Sequence, residues 1–209
     1  MEKHLNISEI FYSLQGESTY SGYPCIFIRL AECNLRCSYC DTQYAFGSGR
    51  SMALSSIMDK IATYPAKLVE ITGGEPMYQE DVSFLFSALH DASYEVLLET
   101  NGSLYLGDVP NFVHKIVDVK TPGSGMGGSF MKWNLKCLNP HDELKFVITD
   151  YNDYQFALEF IKANKPELKA IHLSPVQSVL SPLDLAAWML EDAAPAKLSL
   201  QLHKQLNIR

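Results

Sequence analysis

The sequence predicts an α/β fold in which parallel strands and helices form a β/α barrel with a polar interior. Two observations predict it: short apolar strands alternate with helical stretches along the chain, and most strands are apolar on one face and polar on the other. Strand, helix and strand in succession are typical of a parallel sheet. A polar inner face indicates a lumen that is open to water and can hold a cofactor and a substrate.

Seven short runs of aliphatic residues with interspersed polar residues are predicted as strands. In chain order they are residues 26–30, 68–72, 95–99, 115–119, 143–148, 170–174 and 198–203. Apolar residues at i, i+3, i+4 and i+7 predict a helix from Val82 to Leu89, and a shorter repeat predicts one around Ala157 to Ile161. A third helix is expected over 183–190, directly after Pro182. The glycine-rich stretch 121–128 is predicted as a loop.

The faces of these strands decide between types of sheet. Side chains alternate along a strand, so Val69 and Ile71 lie opposite Glu70 and Thr72, and most of the other strands alternate similarly. A parallel sheet packed dry on both faces would show continuous apolar runs, and a closed barrel fills its interior with branched aliphatic residues. The alternative is an antiparallel sheet with one solvated face, which the helical stretches between strands disfavour.

The composition excludes several classes of protein. The chain has 209 residues, 47% of them hydrophobic and 20% charged, so we expect a single domain over residues 1–209. No apolar stretch approaches the roughly 20 residues that span a bilayer, which predicts no membrane partner. The net charge of −7 and the pI near 5.3 predict no nucleic-acid partner. The absence of an export signal and the odd total of 5 cysteines indicate the reducing cytoplasm.

Three cysteines have the spacing C-x3-C-x2-C: Cys33, Cys37 and Cys40. Structural zinc and iron–sulfur sites close with four protein ligands, so three thiolates on a cube of four irons leave one iron open to another ligand. A zinc site that uses a histidine as its fourth ligand is the alternative interpretation. Cys25 and Cys137 are predicted to be core or incidental thiols.

Two further motifs follow predicted strands. Thr-Gly-Gly-Glu-Pro occupies residues 72–76 and Glu-Thr-Asn-Gly occupies 99–102, and either alone is explained by a turn. Together with the cysteine triplet, Gly73-Gly74-Glu75 resembles the second motif of the radical S-adenosylmethionine (SAM) superfamily. The resemblance implies a [4Fe-4S] cluster on the three cysteines and SAM on its open iron, with the acid and exposed backbone groups of the second motif holding the amino end of SAM. The C-terminal ends of barrel strands carry the chemistry in such folds.

Five more segments narrow the resemblance. They are Phe-Tyr-Ser-Leu-Gln-Gly-Glu at 11–17, Phe-Ile-Arg-Leu at 27–30, Cys-Asp-Thr at 40–42, Asp-Val-Lys-Thr-Pro-Gly-Ser-Gly-Met at 118–126 and Leu-Gln-Leu-His-Lys at 200–204. This combination resembles the 7-carboxy-7-deazaguanine synthase family of queuosine and 7-deazapurine biosynthesis. The resemblance implies a partial (incomplete) parallel β/α barrel of the radical SAM type, a homodimer and a magnesium ion. It implies conversion of 6-carboxy-5,6,7,8-tetrahydropterin to 7-carboxy-7-deazaguanine with loss of ammonia.

The resemblance also implies roles for individual residues. The cluster ligands are Cys33, Cys37 and Cys40, the magnesium ligand is Thr42, the SAM-binding residues are Tyr39, Cys40, Asp41, Gly74, Asp118, Val119 and Lys120, and the substrate-binding residues are Leu14, Gln15, Gly16, Arg29, Thr72 and His203. Arg29 has a planar guanidinium suited to a carboxylate and lies on the polar face of its strand. A threonine hydroxyl suits the oxygen preference of magnesium.

Other expectations are less constrained by the sequence. Glu17 is a candidate for proton transfer, with a plain surface carboxylate as the alternative, and the terminal carboxylate of Arg209 is a further candidate beside the substrate. An external electron donor of the flavodoxin or ferredoxin type is implied. The chain departs from the family pattern at Ser18 and Glu32, where glycine is usual or frequent, and at Tyr39, where tryptophan is frequent.

Two other functions remain as alternatives at this point. One is a radical SAM activase that takes hydrogen from a glycine of a partner protein, since that class shares the cysteine spacing. The other is a non-catalytic metal or electron-transfer module. The Gln-Gly-Glu segment and the Gln-x-His-Lys segment favour the synthase over both.

Overall fold

The computed structural model describes residues 2–208, in which nine strands form one open sheet. The strands are β1 (His4–Leu14), β2 (Pro24–Leu30), β3 (Arg50–Ala53), β4 (Leu68–Gly73), β5 (Glu95–Thr100), β6 (His114–Asp118), β7 (Glu143–Ile148), β8 (Ala170–Pro175) and β9 (Lys197–Leu198). Their order across the sheet is β3-β1-β2-β4-β5-β6-β7-β8-β9. The strands pair in parallel from β2 to β9, and β1 pairs antiparallel with β2 and β3. β3 and β9 are the edges, which confirms the predicted partial barrel.

Five α-helices accompany the sheet in the described residues. They are α1 (Leu54–Ile61), α2 (Val82–Asp91), α3 (Tyr151–Asn164), α4 (Pro182–Glu191) and α5 (Leu202–Leu206). The helices predicted around 82–89, 157–161 and 183–190 are confirmed as α2, α3 and α4. Ser181 caps α4 by accepting a hydrogen bond from the backbone N–H of Leu183, and Pro182 occupies the first turn, where its missing N–H costs no helical bond.

The main hydrophobic core lies between the sheet and helices α1 to α4. Apolar residues on the outer faces of the strands, such as Ile28, Ile71 and Leu144, pack there with helix residues such as Leu85 and Tyr154. No helix among residues 2–208 is long and apolar enough to cross a membrane.

A second, smaller apolar cluster lies on the inner face of the sheet. It consists of Phe11, Cys25, Phe27, Leu68, Leu97 and Ile116. Phe11 and Phe27 stack with ring centroids 4.9 Å apart. This cluster lies toward the N-terminal ends of the parallel strands, so the inner face is less uniformly polar than predicted, and the polar part lies toward the C-terminal ends.

Two strands were not predicted, and one was predicted too long. In β1 the register shifts between Ile7 and Glu9, so Ile7 packs in the main core while Phe11 joins the inner cluster. A bulge of this kind breaks the alternation that marks a strand. The prediction of a strand over 198–203 was wrong, because β9 ends at Leu198 and residues 202–206 form α5. Leucines at 198, 202 and 206 also fit the helical spacing i, i+4.

Candidate active site

A cavity of about 460 Å³ opens inside the partial barrel and brings together nearly all the predicted site residues. Its lining includes Leu14, Gln15, Gly16, Glu17, Arg29, Cys33, Cys37, Tyr39, Cys40, Asp41, Thr42, Thr72, Gly74, Asp118, Lys120 and His203. Val119 is not among the lining residues, since its side chain is buried in the main core. Residues as far apart in sequence as Leu14 and His203 therefore surround one space.

The cysteine loop follows β2 and is held by the loops that follow β5 and β6. Asn34 donates to the Ser103 hydroxyl over 2.8 Å and accepts from the Asn101 side chain over 3.1 Å. On the other side, Ser38 donates its backbone N–H to the Ser124 carbonyl over 2.9 Å and its hydroxyl to the Gly123 carbonyl over 2.9 Å. The three cysteines thus lie on an irregular loop that neighbouring loops fix in place.

The cysteine sulfurs have surroundings suited to metal-bound thiolates. Cys33 Sγ accepts from the Leu35 backbone N–H over 3.4 Å and from the Asn101 side-chain nitrogen over 3.9 Å. Burial raises the pKa of the free Cys33 and Cys37 thiols, so a bound cation is needed to stabilise their thiolates. Among the residues described, no group of three or more His, Cys, Asp and Glu is placed to hold a single metal ion.

The Gly-Gly-Glu motif joins the end of β4 to the cysteine loop. Gly73 has φ of 139°, a conformation that favours glycine. A Cβ on Gly74 would lie 1.7 Å from the Glu32 carbonyl oxygen, and Glu75 donates its N–H to that oxygen over 2.8 Å. The close approach of these two backbones requires glycine at 74.

Glu75 supports this motif from inside the protein. Its fully buried carboxylate accepts from the Thr100 hydroxyl and the Asn101 N–H, both over 2.7 Å, and from the Met77 N–H over 3.0 Å. Burial raises its pKa, although these hydrogen bonds favour the charged form. Glu75 does not line the cavity, so its carboxylate holds backbone rather than contacting the space where a cofactor could bind.

Asp118, Lys120 and Tyr39 form one wall of the cavity beside the cysteines. Lys120 Nζ lies 2.7 Å from Asp118 Oδ2 and 6.0 Å from the centre of the Tyr39 ring. Burial disfavours the charged lysine, but Asp118 raises its pKa. Within the described chain, Asp118 Oδ1 is buried without a hydrogen-bond partner. An acceptor left unpaired at a cavity wall fits a ligand that brings a hydroxyl or amine donor.

Lys145 lies at the centre of the polar inner face, on β7. Its ammonium pairs with Glu17 and with Glu99, the latter over 2.9 Å, and Glu99 also accepts from the Thr72 hydroxyl over 2.9 Å. Burial opposes ionisation of Glu99, but the charge and hydrogen bond of Lys145 lower its pKa to about 2. Burial likewise opposes the charge on Lys145, and the two carboxylates raise its pKa well above its usual value. Lys145 and Glu99 are therefore both ionised at neutral pH.

Glu70 on β4, the strand next to the one that carries Glu99, provides a contrasting carboxyl. It is buried and accepts a hydrogen bond from the Gln15 side chain. Burial raises its pKa well above the usual value, and the negative charges of Glu99 and Glu17 add to the shift. The cavity therefore has the carboxylates of Glu17 and Glu99 around one lysine, and beside them the Glu70 carboxyl, whose neutral form is favoured by burial and which is held by Gln15.

Arg29 extends from β2 into the same space. Its Nε donates to Glu9 Oε1 over 2.9 Å, and Tyr44 donates its hydroxyl to the same oxygen over 2.7 Å. The guanidinium carbon lies 5.9 Å from the centre of the Phe11 ring. Glu9 and Phe11 thus orient a cation whose planar fork can bind a carboxylate.

The C-terminal segment closes one side of the cavity. Leu202 donates its N–H to the Gly16 carbonyl over 2.9 Å, and the Gln201 side chain donates to Glu17 Oε1 over 2.7 Å. Lys204 Nζ lies 2.6 Å from Asp41 Oδ2, which ties the segment to the cysteine loop. Burial lowers the pKa of His203, so its ring is neutral at pH 7. The predicted role of Arg209 lies outside the described residues.

The comparisons with known proteins agree with this geometry. The family model of the radical SAM superfamily matches residues 28–121. A 7-carboxy-7-deazaguanine synthase from Koribacter versatilis (strain Ellin345) is 47% identical over 96% of this chain and 96% of the relative. Another from Chlorobaculum tepidum is 44% identical over 98% and 95% of the two chains. The chain belongs to this synthase family.

The solved structures extend the synthase-family assignment to the fold. QueE from Escherichia coli matches with a TM-score of 0.79 and 25% identity over 96% of this chain and 95% of that one. Streptococcus suis SuiB bound to S-adenosylmethionine matches with a TM-score of 0.56 over 81% of this chain and 44% of that one, and its 16% identity shows the fold alone.

Two departures from the synthase-family pattern have a structural consequence. Ser18 and Glu32 stand where glycine is usual or frequent, and their φ angles are 59° and 69°. Both residues therefore adopt the left-handed conformation that glycine adopts without strain. At Ser18 the hydroxyl accepts from the Tyr20 N–H over 3.1 Å, a local bond that glycine cannot make.

Sequence reasoning did not single out Glu70, Glu99 or Lys145 as functional residues, although all three line the cavity. Glu70 and Lys145 belong to no recognised motif, and Glu99 begins the Glu-Thr-Asn-Gly segment, which a turn alone explains. The signal that could have found them was their position on the polar faces of predicted strands, two residues from Thr72 in the case of Glu70.

Proposed function

We propose that this chain is a radical SAM lyase that converts 6-carboxy-5,6,7,8-tetrahydropterin to 7-carboxy-7-deazaguanine with loss of ammonia, in queuosine and 7-deazapurine biosynthesis. The observation that carries the proposal is one cavity that joins a three-cysteine loop to a charged inner face around Lys145. The activase alternative is not favoured, because relatives that are 44% and 47% identical over nearly the whole chain are named 7-carboxy-7-deazaguanine synthase.

The cofactor end of the cavity is the cysteine loop and the wall beside it. Cys33, Cys37 and Cys40 would hold a [4Fe-4S] cluster, whose donor set of three thiolates leaves one iron open. The residues that would hold SAM are Tyr39, Cys40, Asp41, Gly74, Asp118, Val119 and Lys120. Since the Val119 side chain lies in the core, it would contribute only backbone groups. When bound, the cluster and SAM supply the radical chemistry of hydrogen abstraction.

Magnesium would bind at the edge of the cysteine loop. Thr42 lines the cavity, and its hydroxyl donates to Asp41 Oδ1 over 3.0 Å. The hydroxyl and carboxylate are oxygen donors of the kind that a hard cation accepts. Lys204, which pairs with Asp41 in this structure, would share that carboxylate with the metal or release it.

The substrate end is formed by residues from three parts of the chain. Arg29, oriented by Glu9, would bind the pterin carboxylate, since a guanidinium makes paired hydrogen bonds to carboxylates. Thr72 and Glu99 on adjacent strands present a hydroxyl and a carboxylate to the ring. Leu14, Gln15, Gly16 and His203 would enclose the ring from the other side, with Gln15 fixed by Glu70.

Glu17 would transfer a proton in the step that expels ammonia. Lys145 stays protonated and holds the Glu17 carboxylate by an ion pair, and Gln201 holds its other oxygen. A carboxylate fixed in this way can accept a proton at a defined point of the cavity. The ammonium of Lys145 would stabilise negative charge that develops nearby.

Several broader features belong to the same proposal. We infer a homodimer, an external flavodoxin- or ferredoxin-like electron donor and a cytoplasmic location, the last supported by five cysteines that are all free in the structure. A single domain over residues 1–209 is supported by the continuous sheet from β3 to β9.

The direct test is an anaerobic assay of the cluster-loaded protein with SAM, a reductant, magnesium and 6-carboxytetrahydropterin, read by mass spectrometry. The expected result is 7-carboxy-7-deazaguanine with SAM regenerated. The proposal fails if a fully clustered sample gives no deazaguanine while another synthase of the family turns over beside it.

The cysteine assignment is tested by Cys37→Ala. We expect this change to abolish turnover, because two thiolates do not hold the cluster, and to lower the bound iron measured after reconstitution. Cys137→Ala is the matched control, since Cys137 is a free thiol outside the loop and the cavity. Full turnover by Cys37→Ala would contradict the ligand assignment.

A further inference from the structure

Beneath the cavity, a fully buried carboxylate on β7 connects three strands to the loop that carries Gln15 and Glu17. Glu143 is 0% exposed and does not line the cavity. His114 Nε2, on β6, lies 2.8 Å from its Oε1, and His172 Nε2, on β8, lies 2.5 Å from its Oε2. The carboxylate therefore links the central strand of the three to both neighbours.

The same carboxylate also holds the loop between β1 and β2. Thr19 donates its hydroxyl to Glu143 Oε1 and its backbone N–H to Oε2 over 3.1 Å. Burial opposes the charge on Glu143, but hydrogen bonds from His114, His172 and Thr19 lower its pKa, so it is ionised. Hydrogen bonds to an ionised acceptor are the stronger kind, which makes Thr19 a firm attachment point.

Glu143 and Lys145 act on this loop in parallel. They are two residues apart on one strand, so their side chains share its inner face. Lys145 pairs with Glu17, and Glu143 binds Thr19, two residues further along the loop. The loop is thus fixed to the same strand on both sides of Ser18, whose φ of 59° needs support from its surroundings.

A role in holding the sheet alone would not require Thr19. The two histidines are sufficient to join β6, β7 and β8, whereas both Thr19 donors come from the loop. The residues that this attachment positions are Gln15, Gly16 and Glu17, which line the cavity while Thr19 and Glu143 lie outside it.

We propose that Glu143 is a positioning residue for substrate binding, which acts through Thr19 to fix the segment from Gln15 to Glu17. The inference rests on the proposed function, because the segment is assigned there to the pterin substrate. The cofactor end of the cavity is built from other loops. Loss of the attachment should therefore weaken binding of the pterin without changing binding of SAM.

The test compares Thr19→Val with Thr19→Ser in the cluster-loaded protein under anaerobic conditions. Valine has the shape of threonine without the hydroxyl, and serine restores the hydroxyl. We expect Thr19→Val to raise KM for 6-carboxytetrahydropterin about tenfold, with a smaller change in kcat, and Thr19→Ser to lie within about twofold of the unchanged protein. Cluster content and the affinity for SAM, measured by equilibrium titration, should stay the same in both.

Two further variants sharpen the comparison. Thr63→Val removes a surface hydroxyl that donates to the Lys60 carbonyl. It should leave KM for the pterin and the affinity for SAM unchanged. Glu143→Gln should raise KM for the pterin at least as much as Thr19→Val, because it removes the charge that both loop donors bind. If Glu143→Gln fails to load its cluster, the Thr19 pair decides the question alone.

The outcomes separate this inference from the function on which it rests. A protein with full cluster content that makes no deazaguanine removes the proposed function and this inference with it. An active protein in which Thr19→Val has the KM of Thr19→Ser removes the inference alone. So does a Thr19→Val variant that loses SAM affinity and pterin affinity equally, because that result indicates general destabilisation.

Discussion

The contact between Gly16 and His203 makes a specific prediction about substrate binding. The His203 ring packs directly on the Cα of Gly16, and a Cβ added there would lie 2.1 Å from His203 Nδ1. Gly16 does not have a positive φ, so alanine is compatible with the backbone itself. Gly16→Ala therefore acts on His203 of α5, chiefly on its ring and more weakly on its backbone nitrogen, which would lie 3.1 Å from the added Cβ.

The size of the effect follows from the distance. Ordinary contact with a Cβ begins at 3.4 Å, so the ring must move by about 1.3 Å or rotate out of the cavity. A displacement of about 1 Å at a binding site can cost roughly 100-fold in rate, which corresponds to about 2.7 kcal/mol. We expect Gly16→Ala to lower kcat/KM for the pterin by about 10- to 100-fold.

A double-mutant cycle measures whether the effect passes through the histidine. The anaerobic product assay is run with Gly16→Ala, His203→Ala and the double variant. If the methyl group acts by displacing the ring, the double variant is no worse than His203→Ala, so the two losses are not additive. Gly47→Ala is the matched control, since a Cβ at Gly47 has no atom within 4 Å among the described residues. Activity of Gly16→Ala equal to that of the unchanged protein would refute the reasoning.

Two other predictions concern stability. Glu32→Gly should raise the thermal midpoint of the cluster-loaded protein by roughly 1–4 °C, because relief of the left-handed strain exceeds the entropy cost of glycine. Ser18→Gly should gain less, since it loses the hydrogen bond from the Tyr20 N–H. An equal gain at both positions would contradict this account. Glu70 has a folded pKa well above its usual value near 4.5, so it destabilises the protein increasingly as pH rises from that value toward the folded pKa. The stability of Glu70→Gln relative to the unchanged protein should therefore increase from pH 5.5 to pH 8, by up to about 1.4 kcal/mol per pH unit. The check is the thermal midpoint of the variant minus that of the unchanged protein, measured at both pH values. An equal difference at the two pH values would argue for an ionised Glu70.

The fold could be predicted from the sequence where the local pattern and the global structure agree. Strands β4 to β8 and helices α2 and α4 were each expected within a few residues of their bounds, whereas α3 was expected only in its C-terminal half and begins at Tyr151. The failures have local causes. The bulge in β1 moves Ile7 and Phe11 to different faces. The apolar spacing of residues 198–206 fits both a strand and a helix, and the hydrogen bond from the Leu202 N–H to the Gly16 carbonyl is a tertiary contact that this spacing does not reveal.

The site was predictable where short motifs carry the chemistry, and less so where single residues act. The cysteines and the Asp-Val-Lys segment are recognisable by spacing, and they lie together around the cavity, except for the Val119 side chain. Lys145 and Glu70 belong to no motif, and the Glu-Thr-Asn-Gly segment indicated only a turn at Glu99, because the role of all three residues depends on which strands become neighbours in the sheet. Spacing along one strand does not contain that information.

The ion pairs inside the barrel explain how the inner face can be both polar and largely buried. Two buried ions on β7 have counterions or donors from other strands or loops: Lys145 has Glu17 and Glu99, and Glu143 has His114 and His172. Unpaired burial of such ions would cost several kcal/mol each. The pairs therefore hold their members in fixed positions, which is the requirement for binding one orientation of a small polar substrate. The same pairing makes the inner face sensitive to single substitutions, since removal of one member leaves its partner charged and buried.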